Sequence, residues 1–332
     1  DDEAAARQRA AWEEATAFQP LRELIGDLAQ QGREVARIAY DDALHEASRA
    51  LMQQWFAWRK TGVDLESART DLALAERLVQ QAQARLKRGD ISQLDADLAQ
   101  AEVLRCQAAL QGAQSQHAAA QVTLRRQYPG LPLVSAPLQG QPLPPMPPLD
   151  LVQQSFLDNH HELNLRRAEA QRLRLLAERI DKERWPDPTL GVYTLRERQG
   201  AEQVVGVSLS LPLAGQARQS HALAAQAEAQ GAQDKVQQLQ AQLGADLEAR
   251  WEQLQHQKQA AVQLQAAARI QALAADKSLK AYAAGEHTMT ELLQNRRLAN
   301  EQHRQSERAL WEAVEQQALL TLDLHQIWDF DD

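Results

Sequence analysis

Nine histidines and one cysteine are the side chains with the most chemistry to offer, and their spacing assembles none of it. The densest group is His160-His161-Glu162, but neighbours in a helical sequence point in different directions and cannot close on one ion. His287 and His303 have no histidine or cysteine one turn away, and no His-Glu-x-x-His pattern occurs. No Ser/His/Asp arrangement, phosphate-cradling loop or paired-carboxylate cleft emerges. Gly200 and Gly206 do not form a dinucleotide fingerprint. Cys106 stands alone, which excludes disulfide frameworks and cysteine metal clusters, and it reads as a small apolar residue of a helix. The residues therefore predict no catalytic group, no cofactor and no metal ligand, and direct attention to architecture.

The composition is that of long helices. The 332 residues are 44% hydrophobic but only 5% aromatic, and long stretches of Ala, Gln, Leu, Glu and Arg run almost without Gly or Pro. A net charge of −9, with bases scattered among acids, leaves no nucleic-acid footprint. No apolar run of about 18 residues offers a membrane helix. The chain starts at Asp1 rather than Met, which reads as a truncated or mature end.

An internal repeat organises the rest. A shift of 196 positions places Trp55 on Trp251, Leu51 on Leu247 and Gly89 on Gly285 without a gap. Ala43, Ala47, Leu51, Trp55 and Trp58 mark one apolar stripe, and Leu239, Leu243, Leu247, Trp251 and Leu254 repeat its steps. Each half predicts a helical hairpin. The first runs from about Leu21 to Leu86, turns at Gly89 and returns from Ser92 to Arg126; the second runs from Ala214 to Ala284, turns at Gly285 and returns from Thr288 to Ile327. About 65 residues of helix span roughly 100 Å. Glycine suits each turn because it accepts positive φ, and Ser92 and Thr288 suit the N-caps that follow. The expected layout is a first repeat over 1–128, a Pro-rich linker over 129–149, and a second repeat over 150–332. That second repeat opens with one helix from Leu151 to Arg184, after Asp150 as N-cap, and Pro186 and Pro188 end it.

Only one region reads as strand: Thr189–Arg196 and Val204–Leu213, joined by a polar loop. Val205, Val207, Leu209, Leu211 and Leu213 fall on one face, and Gly206, Ser208 and Ser210 on the other. An apolar face opposite a small polar one suits a barrel strand with one side to lipid and one to a lumen; an ordinary strand packed on helices has the same alternation.

With these elements in order, the chain resembles the TolC family of outer-membrane efflux proteins, in particular its branch serving heavy-metal resistance pumps of the cobalt-zinc-cadmium type. The matching segments are Trp185-Pro-Asp-Pro-Thr-Leu-Gly191 and Val205-Gly-Val-Ser-Leu-Ser-Leu-Pro-Leu213, with the tip segments Arg85–Asp95 and Ala281–Glu291. The resemblance implies a mostly α fold in which two tandem hairpins form an α-barrel tunnel in a homotrimer, and a short β-hairpin contributes to an outer-membrane β-barrel. It implies a passive duct, not an enzyme, that carries metal cations or other toxic small molecules. Its partners would be a periplasmic adaptor, an inner-membrane pump and outer-membrane lipid, with the helices in the periplasm. Gly89, Asp90, Gly285 and Glu286 would form the adaptor-docking tips. Glu291 and Gln294 would stand at the pore gate, where the family carries acids, with Arg296 and Arg297 as counter-charges for a neighbouring protomer. Shifting the strand pair back by 196 places it before Asp1 and over Gln8–Thr16, a stretch of helical character; the expectation is that the first strand pair, the signal and any lipid anchor lie upstream. A periplasmic adaptor would show one hairpin between β-rich segments. A structural coiled coil would leave the strands and the Pro-rich linker unexplained.

Overall fold

The computed structural model describes residues 10–13, 19–134, 145–184, 189–197, 202–210 and 215–327. In chain order these form β1 (Ala10–Glu13), α1 (Gln19–Arg88), α2 (Gln93–Gln127), α3 (Leu149–Asn159), α4 (His161–Lys182), β2 (Thr189–Glu197), β3 (Glu202–Ser210), α5 (Gln216–Ala284) and α6 (Met289–Asp323). The duplication is plain in the lengths: helices of 70 and 35 residues in the first repeat, 69 and 35 in the second. The fold is mostly α, with two tandem hairpins as the repeat requires.

Two compact units share the chain, residues 1–43 with 160–243, and residues 44–159 with 244–332; each draws on both repeats. In the first unit Leu163 is fully buried on α4, Ala168, Ala170 and Ala177 are buried beside it along the helix, and Gln31 on α1 donates to the Ala168 carbonyl at 3.2 Å. The strands form one antiparallel sheet in the order β1-β2-β3.

The second unit has two apolar centres. Near the tips, Ala75, Leu78, Val79 and Ala82 of α1 meet Ala99, Val103 and Cys106 of α2, with Tyr282 of α5 and Met289, Leu292 and Leu293 of α6. Further along, Met52 and Phe56 meet Trp311, Leu319 and Leu322, and the Arg59 guanidinium lies 4.5 Å from the Trp311 ring centroid. Asp323, at the end of α6, takes Arg250 at 2.9 Å, His45 at 3.4 Å and Arg49. Burial pushes its carboxyl up, but the bond to His45 and the charges of Arg49 and Arg250 outweigh burial and hold it below the usual range.

Several expectations need correction. The single helix over 151–184 is two helices, because His160 is extended at φ −65° and ψ 114° and restarts the ladder with its own carbonyl. Asp150 lies within the first turn of α3 rather than capping it. The stretch Gln8–Thr16, read as helical in character, contains β1, paired with β2 from Ala10 opposite Thr194 to Glu13 opposite Gly191. Pairing with a formed neighbour overrides the weak intrinsic preference of four residues. The 196 shift lays Ala10–Glu13 on Gly206–Leu209 of β3, so the repeat placed a strand where local propensity did not. The apolar stripe is followed in the second repeat, where Leu243, Leu247, Trp251 and Leu254 are buried. In the first repeat Trp58 is buried as expected and Leu51 and Trp55 are half-buried, but Ala43 and Ala47 are exposed, and the buried line broadens one residue on through Ser48, Met52, Phe56 and Arg59. Helix α6 stops at Asp323 instead of Ile327 because His325 turns left-handed at φ 54°, with Gln326 N–H on the Thr321 carbonyl. Strand β3 begins at Glu202, two residues early; Leu211 and Leu213 lie outside the described residues, as does the middle of the Pro-rich segment.

Candidate functional site: two helix tips and an exposed strand face

Both hairpin turns close in the same way. Gly89 (φ 77°) and Gly285 (φ 82°) hold the left-handed conformation that L-residues resist. Asp90 N–H reaches the Arg85 carbonyl and Gly89 N–H that of Leu86; Glu286 N–H reaches Ala281 and Gly285 N–H reaches Tyr282. These are paired Schellman closures that satisfy the last carbonyls of α1 and α5. Three residues beyond each glycine, Ser92 and Thr288 accept from the backbone N–H of Asp95 and Glu291 at 3.2 Å. Asp95 and Glu291 reach back to the cap N–H at 3.3 and 2.7 Å, which completes two capping boxes. The 196 shift relates every one of these pairs.

Glu291 therefore has a local role: its carboxylate ends the exposed first turn of α6. The backbone and side-chain bonds from Thr288 hold its pKa below the usual carboxylate value. Gln294 is exposed one turn further on, and Asp90 and Glu286 are exposed at the two tips. Arg297, expected as a counter-charge for a neighbouring protomer, is instead engaged within the chain: its Nε donates to Glu102 on α2 at 3.0 Å. Arg105, one turn further along α2, donates to the same carboxylate at 3.0 Å. Burial raises the Glu102 carboxyl, and the hydrogen bonds and charges of the two arginines outweigh it and hold the group low. From sequence Glu102 and Arg105 are an ordinary helix-surface pair, and nothing in their spacing announces the partner from α6. The tips are also linked by Arg85, which donates to the Tyr282 carbonyl at 3.2 Å with its guanidinium 4.9 Å from the Tyr282 ring. Burial raises the pKa of the Cys106 thiol.

In the other unit, β2 and β3 pair in one unbroken register from Thr189 opposite Ser210 to Glu197 opposite Glu202. Val205, Val207 and Leu209 are 71, 68 and 63% exposed, and Val192, opposite Val207, is 51% exposed. Gly206, Ser208 and Ser210 alternate to the other face, shared with Val204, Gly191 and Tyr193. An apolar sheet face turned to the outside in this way needs a covering medium. No helix among the described residues is long and apolar enough to cross a membrane.

No family model and no curated protein matches the chain. Solved structures do. The outer-membrane channel OprN matches 95% of this chain and 74% of its own at TM-score 0.79 and 15% identity. CusC, whose structures follow folding and transmembrane channel formation, matches 95% and 76% at TM-score 0.82 and 12% identity. The outer-membrane protein VceC of Vibrio cholerae matches 97% and 85% at TM-score 0.74 and 14% identity.

The fold is that of the TolC-family outer-membrane channels. In this channel fold the paired tips and the exposed strand face belong to separate compact units, and each is built by local rules repeated or alternated along the chain. The tips owe their form to a glycine and a capping box, the strand face to a period of two.

Proposed function

We propose that the chain is the outer-membrane duct of a tripartite export system, a homotrimer whose helical hairpins stand in the periplasm and whose strands join a lipid-embedded barrel. The observation that carries this reading is the strand pair itself. A row of Val205, Val207 and Leu209 faces outward with Val192 beside it, while the other face is mostly small and polar, within a channel fold. Lipid contact for the first row and a water-filled passage for Gly206, Ser208 and Ser210 satisfy both faces at once.

The duct does no bond chemistry. Gly89, Asp90, Gly285 and Glu286 present two exposed turns to the hairpin of a periplasmic adaptor, which couples the duct to an inner-membrane pump. Glu291 and Gln294 follow the second turn and stand where three copies would meet around the axis. Metal cations are the substrate class proposed, with other toxic small molecules the alternative; carboxylates gathered from three protomers would favour cations. The test is assembly and conduction of the full-length protein. Cross-linking in detergent should give a trimer, and planar bilayers should record discrete channels. A stable, fully helical monomer without conductance would overturn the duct.

A further inference from the structure

Two glycines of the strand pair, Gly191 and Gly206, have no backbone reason to be glycine: neither is among the described residues with positive φ. Glycine inside a strand is normally a loss of order and packing, so what stands over it is informative. A Cβ placed on Gly206 would lie 2.4 Å from Cζ and 2.6 Å from the hydroxyl oxygen of Tyr193, and 2.9 Å from Cε1. Tyr193 is the residue directly across the ladder. Its ring therefore crosses from β2 to β3 and rests where the Gly206 side chain would be. At Gly191 the neighbour is smaller: a Cβ would meet only the Ser208 hydroxyl, at 2.6 Å.

We infer that Gly206 is a seat for the Tyr193 ring and that this pair sets the free width of the passage along the small-residue face. The inference rests on the duct reading, in which that face lines the lumen. Tyr193 is the one aromatic residue among the described positions of this face, and it is 41% exposed. Seated, the ring lies along the wall; unseated, it stands off the wall into the passage with its hydroxyl leading. The atoms that would collide are the far end of the side chain, so the ring can swing aside without moving the backbone. A methyl at position 206 thus acts on the lumen rather than on the fold, since alanine suits an extended strand better than glycine does.

The experiment compares single-channel conductance of the full-length protein in planar bilayers for wild type, Gly206→Ala, Tyr193→Ala and the double variant. Gly206→Ala should lower conductance, Tyr193→Ala should not, and the double variant should conduct at least as well as wild type. Gly206→Ala at wild-type conductance, or a double variant as low as the single one, would overturn the seat. Were Gly206→Ala to fail to insert, the double variant must insert, because it removes the collision; failure of both overturns the seat as well. Wild-type protein without any channels would overturn the duct reading and this inference together, an outcome distinct from channels that ignore the substitutions.

Discussion

At the first tip, α1 brings Arg85, Lys87 and Arg88 into its last turn, and Arg88 pairs with Asp90 at 2.9 Å. At the second, the last turn of α5 holds no base, and the fully buried Met289 and Leu292 follow the turn. The backbone is the same at both: a glycine with positive φ, a Schellman closure and a capping box. What differs is the means of support. Cations at the negative end of the helix dipole favour the end of α1, whereas apolar packing anchors the start of α6. Leu94 of the first tip is 66% exposed, and the matching residue of the second is Thr290. A duplicated turn has kept the parts that set its geometry and diverged in those that hold it in place.

That contrast can be broken most sharply at Leu292. Leu292→Ala should destabilise by about 2–5 kcal/mol in thermal or denaturant unfolding, while Leu94→Ala should stay within about 0.5 kcal/mol. Equal losses would mean that the two tips are supported alike. Next comes Glu102→Gln, which leaves Arg297 and Arg105 facing a neutral amide. A loss of roughly 1–3 kcal/mol is expected, reduced at high salt because both arginines are about half exposed. A double-mutant cycle with Arg297→Ala measures how much of it is the link to α6.

The glycines should behave as twins. A Cβ at Gly89 or Gly285 meets nothing within 4 Å, so the whole penalty is conformational. Alanine at either position should cost about 1–2 kcal/mol, and a difference larger than 1 kcal/mol between them would break the symmetry. With β-branched residues the expected effect is weaker cross-linking to the adaptor with helicity unchanged by circular dichroism. The smallest effect is at the caps. Ser92→Ala and Thr288→Ala should each cost about 1 kcal/mol. Because the Glu291 pKa is lowered in the folded chain, its contribution is present above the unfolded carboxylate value and disappears as pH falls through the folded one. Glu291→Gln should flatten that part of the stability–pH curve, and an unchanged acid slope would remove the cap from the account.

Much of this was legible in the residues. The 196 shift located both turns, their caps and the four long helices to within a few positions, since glycine, a capping box and a sustained apolar period each act over a handful of neighbours. What escaped depends on distant partners. The interruption at His160 carries neither Gly nor Pro. Strand β1 is four residues of helical character held by Thr194, Tyr193, Val192 and Gly191. The first-repeat stripe is broader than its expected line because Trp311 of α6 takes both Trp55 and Phe56 at 6.2 Å between ring centroids. Glu102 acquires Arg297 from 195 residues away. The Tyr193 ring over Gly206 is a cross-strand fact that needs the register, and alternation alone does not supply it.

The strand order β1-β2-β3 leaves β3 at a margin of the sheet, with one row of amides and carbonyls unclaimed by any described strand. Beside that row stand Val205, Val207 and Leu209. A hydrophobic margin of this kind is a growing end: it adds whichever strand arrives first, native or not. In water such an edge is prone to add further strands, other copies of this chain included. In the proposed duct, closing into a ring would stop the growth, and a cell making this chain would have to keep the margin covered until the ring closed.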